Sequence, residues 1–315
     1  MVDLCLLGSL GGMPMPYRNL SATLLNFKGR KILIDCGEGT QVSMRIVGWG
    51  FKSVDVIMIT HCHGDHIVGL PGILATIGNS GRLEPLTIIG PQGITEVVNS
   101  LRVIAKYLPY DINIIENPRE VNLNVTKENI NVVEEKGEIK LTTLEVEHSS
   151  PCIGYSFYFR RDRKFSVDKA EKNRVPKILW NKLQKGGIDE VIVYDGKEYT
   201  GEMVLGDERR GIKLSLITDS RPKEEMIDFI KESNLFICEG TYGSDLDKDK
   251  AIKNKHMTFS EAATIAKEGR CKELLLTHFS PALAEPKEFI ENATNIFENT
   301  IIGEDRLIKN ISFTE

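Results

Sequence analysis

Apolar residues fall in short runs along the first third of the chain, at residues 2–7, 22–27, 30–35 and 54–60, with glycine-bearing turns between them. Runs of this length rich in Val, Ile and Leu predict strands, and Lys28-Gly29 predicts a hairpin turn between the second and third. Residues 67–77 carry a longer apolar pattern and predict a helix, as do residues 93–106 and the stretch from 40 to 46. Residues 86–89 and 112–116 continue the alternation of strand with helix. Farther on, residues 140–147 alternate like a half-buried strand, and 213–218 and 273–277 are apolar strands. Arg221-Pro222 is expected to open a helix. The pattern predicts the α/β class, and 315 residues at 41% hydrophobic content suit one large domain or two small ones.

Composition removes several alternatives. Cys5, Cys36, Cys62, Cys152, Cys238 and Cys271 are scattered singly, with no Cys-x-x-Cys pair, so neither a disulfide framework nor a zinc knuckle is expected. The first residues show no basic leader, and no apolar run reaches the length of a membrane span, so a cytoplasmic protein without a membrane partner is expected. Cys36-Gly37-Glu38-Gly39-Thr40-Gln41 lacks the lysine of a phosphate-cradling loop and reads as a turn. With 40 basic against 45 acidic side chains, the chain has a net charge of −5. Residues 160–185 depart from this. They hold ten Lys or Arg against three acidic residues, net +7, leaving −12 for the rest. Phe165 and Trp180 are expected to add aromatic surface there. The segment interrupts the strand pattern as an inserted nucleic-acid-binding arm would.

The concentrated chemistry is Thr60-His61-Cys62-His63-Gly64-Asp65-His66, directly after a strand. The chain has six histidines, and half of them stand in these seven positions. Imidazole and carboxylate together suit zinc, or manganese or iron, and the spacing offers ligands for two ions. Three further strands end in the same residue types: 140–147 before His148, 213–218 before Asp219 and 273–277 before His278. Asp219 fits a helix cap, and its two oxygens also suit a bridge between two cations.

His61-x-His63-x-Asp65-His66 followed by His148, Asp219 and His278 resembles the ligand set of the metallo-β-lactamase superfamily. Residues 34–41, Gly69-Leu70-Pro71-Gly72 and Leu276-Thr277-His278-Phe279-Ser280 further resemble its ribonuclease Z family. The resemblance implies an α/β fold, an αβ/βα sandwich of two mixed β-sheets with outer helices, as one domain over residues 1–315 with an inserted arm at 160–205. It implies that His61, His63 and His148 hold one Zn2+ and Asp65, His66 and His278 another, with Asp219 bridging; Mn2+ or Fe2+ are alternatives. Asp65 would be the proton acceptor, His256 would approach the scissile phosphate, and Glu239 would orient His256. Gly240 and Met257 stand where the family commonly has alanine and serine.

The implied reaction is hydrolytic removal of the 3′ trailer from precursor tRNA, by a homodimer whose arm grips the tRNA body. Within that arm Arg174, Lys177, Lys182 and Lys185 are the expected contacts, although Val175-Pro176-Lys177-Ile178 replaces the family's Gly-Pro signature. Pro14-Met15-Pro16-Tyr17-Arg18-Asn19 resembles the loop that reads the acceptor-stem end. Pro16 stands where lysine is frequent, and Arg18 and Asn19 are the expected contacts. The competing readings are another hydrolase of this fold, such as a phosphodiesterase, arylsulfatase or lactamase, and a non-catalytic RNA-binding protein.

Overall fold

The computed structural model describes residues 1–313. A seven-stranded sheet runs in the order Leu307–Ile311, Val2–Gly8, Ala22–Phe27, Arg30–Ile34, Val54–Met58, Leu86–Gly90, Ile112–Glu116. An eight-stranded sheet runs Thr300–Ile302, Leu274–Thr277, Leu235–Glu239, Arg209–Ile217, Cys152–Arg161, Ile139–Val146, Glu120–Val125, Ile130–Val133. Both are mixed. Arg30–Ile34 pairs antiparallel with Ala22–Phe27 across the Lys28-Gly29 turn and parallel with Val54–Met58. In the second sheet the three pairings from Arg209–Ile217 to Thr300–Ile302 are parallel.

All five residues of Val54–Met58 are buried, which requires cover on both faces of the sheet. One face packs on helices: Cys5, Leu7 and Ile57 share a core with Ile73, Leu74 and Ile77 of the helix Leu70–Asn79. The other face meets the second sheet, where Tyr155 Oη donates to the Ile59 carbonyl at 2.6 Å and Ile153 N–H to the Thr60 carbonyl at 3.0 Å. The second sheet's outer face is closed by the helix Phe259–Glu268, through Phe259, Ala262 and Ala266 against Phe236, Cys238 and Leu276. The sandwich of two mixed sheets with outer helices is therefore observed.

Local boundaries differ from the sequence reading in three places. The expected helix at 67–77 is two, Gly64–Ile67 and Leu70–Asn79. Gly69 N–H turns aside to the Cys36 carbonyl at 2.8 Å, an approach so close that a Cβ on Gly69 would stand 2.3 Å from the Gly37 carbonyl oxygen. The expected helix at 93–106 is α-helical over Ile94–Leu101 and tightens to 3-10 over Arg102–Ala105. The helix expected at Arg221-Pro222 begins at Glu225, because Arg221 first forms an isolated bridge with Glu147.

The chain divides into two compact units, Met1–Tyr158 with Ile212–Ser312, and one built on Phe159–Gly211. The second holds the segment expected at 160–205. It contains the helices Val167–Lys172 and Lys177–Gly186 and a hairpin of Val191–Tyr194 with Lys197–Thr200. A small core of Ala170, Val175, Leu179, Leu183, Val204 and Leu205 supports them. Phe165 and Trp180 are half-buried against that core with ring centroids 5.2 Å apart, and Trp180 Nε1 donates to the Val175 carbonyl at 2.9 Å. They hold the unit together rather than presenting the aromatic surface expected. No described helix is long and apolar enough to cross a membrane.

Candidate metal centre

His148, Asp219 and His278 stand just beyond strand ends, His61 and His63 lie in the loop after Val54–Met58, Asp65 and His66 lie in the helix Gly64–Ile67, and all seven are in the first unit. They converge in two groups joined by one carboxylate. The first has His61 Nε2 3.0 Å from His63 Nδ1, and His63 Nδ1 3.2 Å from His148 Nε2. Asp219 Oδ2 lies 3.6 Å from His61 Nε2 and 3.8 Å from His148 Nε2. In the second, His66 Nε2 and His278 Nε2 are 3.1 Å apart and lie 3.5 and 3.3 Å from Asp65 Oδ2. Asp219 Oδ1 lies 3.4 and 3.1 Å from the same two nitrogens.

These separations fit a shared ion better than hydrogen bonds. Ligands about 2.0–2.1 Å from a tetrahedral zinc stand about 3.3 Å from one another. The tautomers agree. His66 Nδ1–H donates to Asp35 Oδ2 at 2.8 Å and His148 Nδ1–H to the Lys255 carbonyl at 3.3 Å, leaving each Nε2 as a lone-pair donor. Asp219 Oδ1 is buried without a hydrogen-bond partner, the mark of an atom awaiting a cation. The residues present fit two ions.

Backbone detail keeps the centre open. A Cβ on Gly11 would lie 2.3 Å from the His278 ring, so only glycine fits there, and Gly12 N–H donates to Asp65 Oδ2 at 2.6 Å. His278 itself sits at φ 57° and Asp35 at φ 58°. Asp35 also accepts from Thr60 N–H at 2.8 Å and from the Thr60 hydroxyl, which makes it the anchor of the histidine loop. Burial disfavours the Asp219 charge, yet the rings of His278, His66 and His61 hold its pKa well below the usual range. Burial pushes His61 down, toward the neutral form a metal requires, whereas at His66 Asp219 and Asp35 outweigh burial and push the metal-free ring up.

Glu239 is fully buried and occupies both oxygens. Oε1 accepts from Ser220 N–H at 2.6 Å and faces His256 Nδ1 at 3.2 Å; Oε2 accepts from Met257 N–H at 3.0 Å and from the Thr241 hydroxyl at 2.6 Å. Burial disfavours the His256 cation, but Glu239, then Asp219 and Asp65, outweigh it and raise His256 to about 9. Its ring lies 5.6 Å from that of His278 and 5.3 Å from that of His148. Met257 is buried. Gly240 leaves only 2.8 Å between an added Cβ and the Phe259 ring, so alanine would require that ring to shift.

A cleft of about 380 Å³ opens over these groups, lined by His63, Asp65, His148, Asp219, His256 and His278 and, on one wall, by Lys253, Asn254 and Lys255. That basic wall went unnoticed in the sequence. Its signal was the run Lys253-Asn254-Lys255 immediately before His256, with Lys255 at φ 60° donating through Nζ to the His148 carbonyl at 3.1 Å. Asp35, Thr60 and Thr241 were missed as supports of the ligands.

Arg18 and Asn19 do not line this cleft. Arg18 Nη1 donates to the Leu283 carbonyl at 3.0 Å with its guanidinium over the Phe279 ring, and Nη2 has no partner. Asn19 donates through its backbone to Asp305 and through its side chain to Ser43. Arg174, Lys177, Lys182 and Lys185 are exposed on the second unit.

A family described as Anti-Pycsar protein Apyc1 matches residues 2–196. Ribonuclease Z of Clostridium beijerinckii is 62% identical over 315 residues, covering 100% of both chains. Among solved structures, the metallo-β-lactamase fold protein YhfI from Bacillus subtilis has a TM-score of 0.67 at 18% identity over 98% of this chain and 100% of that one. Human tRNase Z, short form, has a TM-score of 0.66 at 24% identity over 99% and 100%. These two likenesses establish the fold. The chain belongs to the family described as Anti-Pycsar protein Apyc1 over residues 2–196 and, along its whole length, to the ribonuclease Z family.

Proposed function

We propose that the chain is the endonuclease that severs the 3′ trailer from precursor tRNA, using two zinc ions at the centre described above. The observation that carries the reading is Asp219, whose two oxygens face two separate groups of ligands at 3.1–3.8 Å. Two ions held there by His61, His63, His148, Asp65, His66, His278 and Asp219 would supply Lewis acidity toward the phosphoryl oxygens and ease the ionisation of water near neutral pH. Manganese or iron would suit the same donors.

The chain's own groups do the rest. Asp65, steadied by the Gly12 N–H, orients the attacking water and takes its proton. With Nδ1 committed to Glu239, His256 offers Nε2–H to the phosphoryl group or to the departing oxygen. Lys253 and Lys255 give the cleft a basic wall for the RNA backbone. Arg174, Lys177, Lys182 and Lys185 bind the tRNA body through its phosphates. Val42, Ile46 and Val68, each more than half exposed, offer the apolar surface through which the homodimer forms. A precursor tRNA substrate accords with a cytoplasmic enzyme.

The test is one end-labelled precursor tRNA. A single cut at the trailer junction, lost with chelator and restored by zinc, is expected. Hydrolysis of small phosphodiesters without tRNA cleavage would favour a small-substrate hydrolase of this fold, and binding without cleavage a non-catalytic protein.

A further inference from the structure

We infer that Arg221 is a positioning residue: it sets His256 over the metal ligands by fastening the loop that carries His256 to the loop that carries Asp219. The inference rests on the role proposed above for His256.

Arg221 stands two residues after Asp219, with its side chain 14% exposed. Nη1 donates to the His256 carbonyl and, at 2.9 Å, to Glu261 Oε2; Nη2 donates to Glu261 Oε1 at 2.5 Å. Glu261 is itself fixed, because it closes a capping box with Thr258 at the start of Phe259–Glu268. From the backbone, Arg221 N–H reaches the Glu147 carbonyl at 3.0 Å, beside His148. The preceding Ser220 accepts from Glu147 N–H at 3.1 Å and donates its own N–H to Glu239 at 2.6 Å. Residues 220 and 221 thereby join the segments carrying His148, Asp219, Glu239 and His256.

An ion pair needed only for packing would end at Glu261. Here the planar guanidinium also takes the carbonyl of His256, and only a fork of several donors can serve a carboxylate and a carbonyl together. Arg221 does not line the cleft, so it acts through His256 and not on the substrate.

The experiment is a double-mutant cycle. Values of kcat and KM for one labelled precursor tRNA are measured for the wild type, Arg221→Gln, Arg221→Lys, His256→Ala and Arg221→Gln/His256→Ala, with bound metal determined for each by elemental analysis. Misplacing a reacting group by about 1 Å costs about 10²-fold, so Arg221→Gln lowers kcat by about that factor while KM and metal content hold. Arg221→Lys keeps the charge but not the fork and recovers little. In the His256→Ala background the Arg221→Gln change has less than about a 2-fold further effect, because the group it positions is gone. Should the Gln variant not fold, the cycle is run with Lys. A slow His256→Ala in which the Arg221 change still exerts its full factor overturns this inference alone. So does loss of metal from Arg221→Lys. Full activity of His256→Ala overturns both the role of His256 and this inference.

Discussion

At the scale of single residues, the site is decided by which atoms are left without a protein partner. Asp219 is the clearest case, since its buried oxygens face imidazole nitrogens on both sides. Asp219→Ala is expected to weaken both ions together and to abolish cleavage with the fold retained; two full metal equivalents by elemental analysis in that variant would contradict the bridge. His256 gives a pH prediction for the chelated protein. Its pKa is raised on folding to about 9, so it stabilises the fold fully below its unfolded value, near 6.5, and that contribution is lost as pH rises through about 9. A shift of that size corresponds to about 3 kcal/mol. Urea unfolding of metal-free protein between pH 6 and 10 should show the decline, and His256→Ala should flatten it.

At the scale of elements, four strands bring the candidate ligands together because each ends at the same edge of the sandwich. Gly11 shows how little room the arrangement leaves beside His278. Gly11→Ala is expected to displace that ring, costing about 1–3 kcal/mol of stability, and to release the ion of the Asp65, His66 and His278 group while the other stays. Metal stoichiometry falling from two to one would show this, and retention of both would refute it.

The candidate ligands were legible because the apolar runs show where each strand stops and a histidine or aspartate follows within a few residues. Asp35 was not, since an aspartate after a strand looks like any turn residue until His66, 31 positions on, is folded against it. Arg221 reads in the sequence as a helix opening for the same reason. Its partners at 147, 256 and 261 are neighbours only through tertiary structure. Phe165 and Trp180 misled because a basic run hides the small apolar periodicity of Leu179 and Leu183 beneath it.

At the scale of the whole molecule, charge is divided unevenly, with the excess of lysine and arginine in the second unit. Lys177, Lys182 and Lys185 are exposed there, so replacing all three by alanine should leave that unit folded. Each lost phosphate contact reduces the slope of log affinity against log salt by about 0.9, so the triple variant should bind precursor tRNA more weakly and with a slope shallower by about 2–3. Hydrolysis of a small phosphodiester should not change. An unaltered slope would exclude these lysines from the interface. If the enzyme is a homodimer sharing its substrate, mixing this variant with one lacking His63 and Asp65 should restore cleavage, and proven subunit exchange without recovery would rule that out.

The pairing of Leu307–Ile311 with Val2–Gly8 bears on the order in which the molecule can be made. Asp305, just ahead of that strand, accepts from Ser9 and Asn19, which flank Gly11 and Gly12 where they touch His278 and Asp65. Asp305 is translated 296 positions after Ser9. A nascent chain can thus lay down most of both sheets on the ribosome while the segment abutting the candidate metal ligands still lacks an anchor. Competence for RNA cleavage should arrive late in synthesis, after residue 305 has left the exit tunnel.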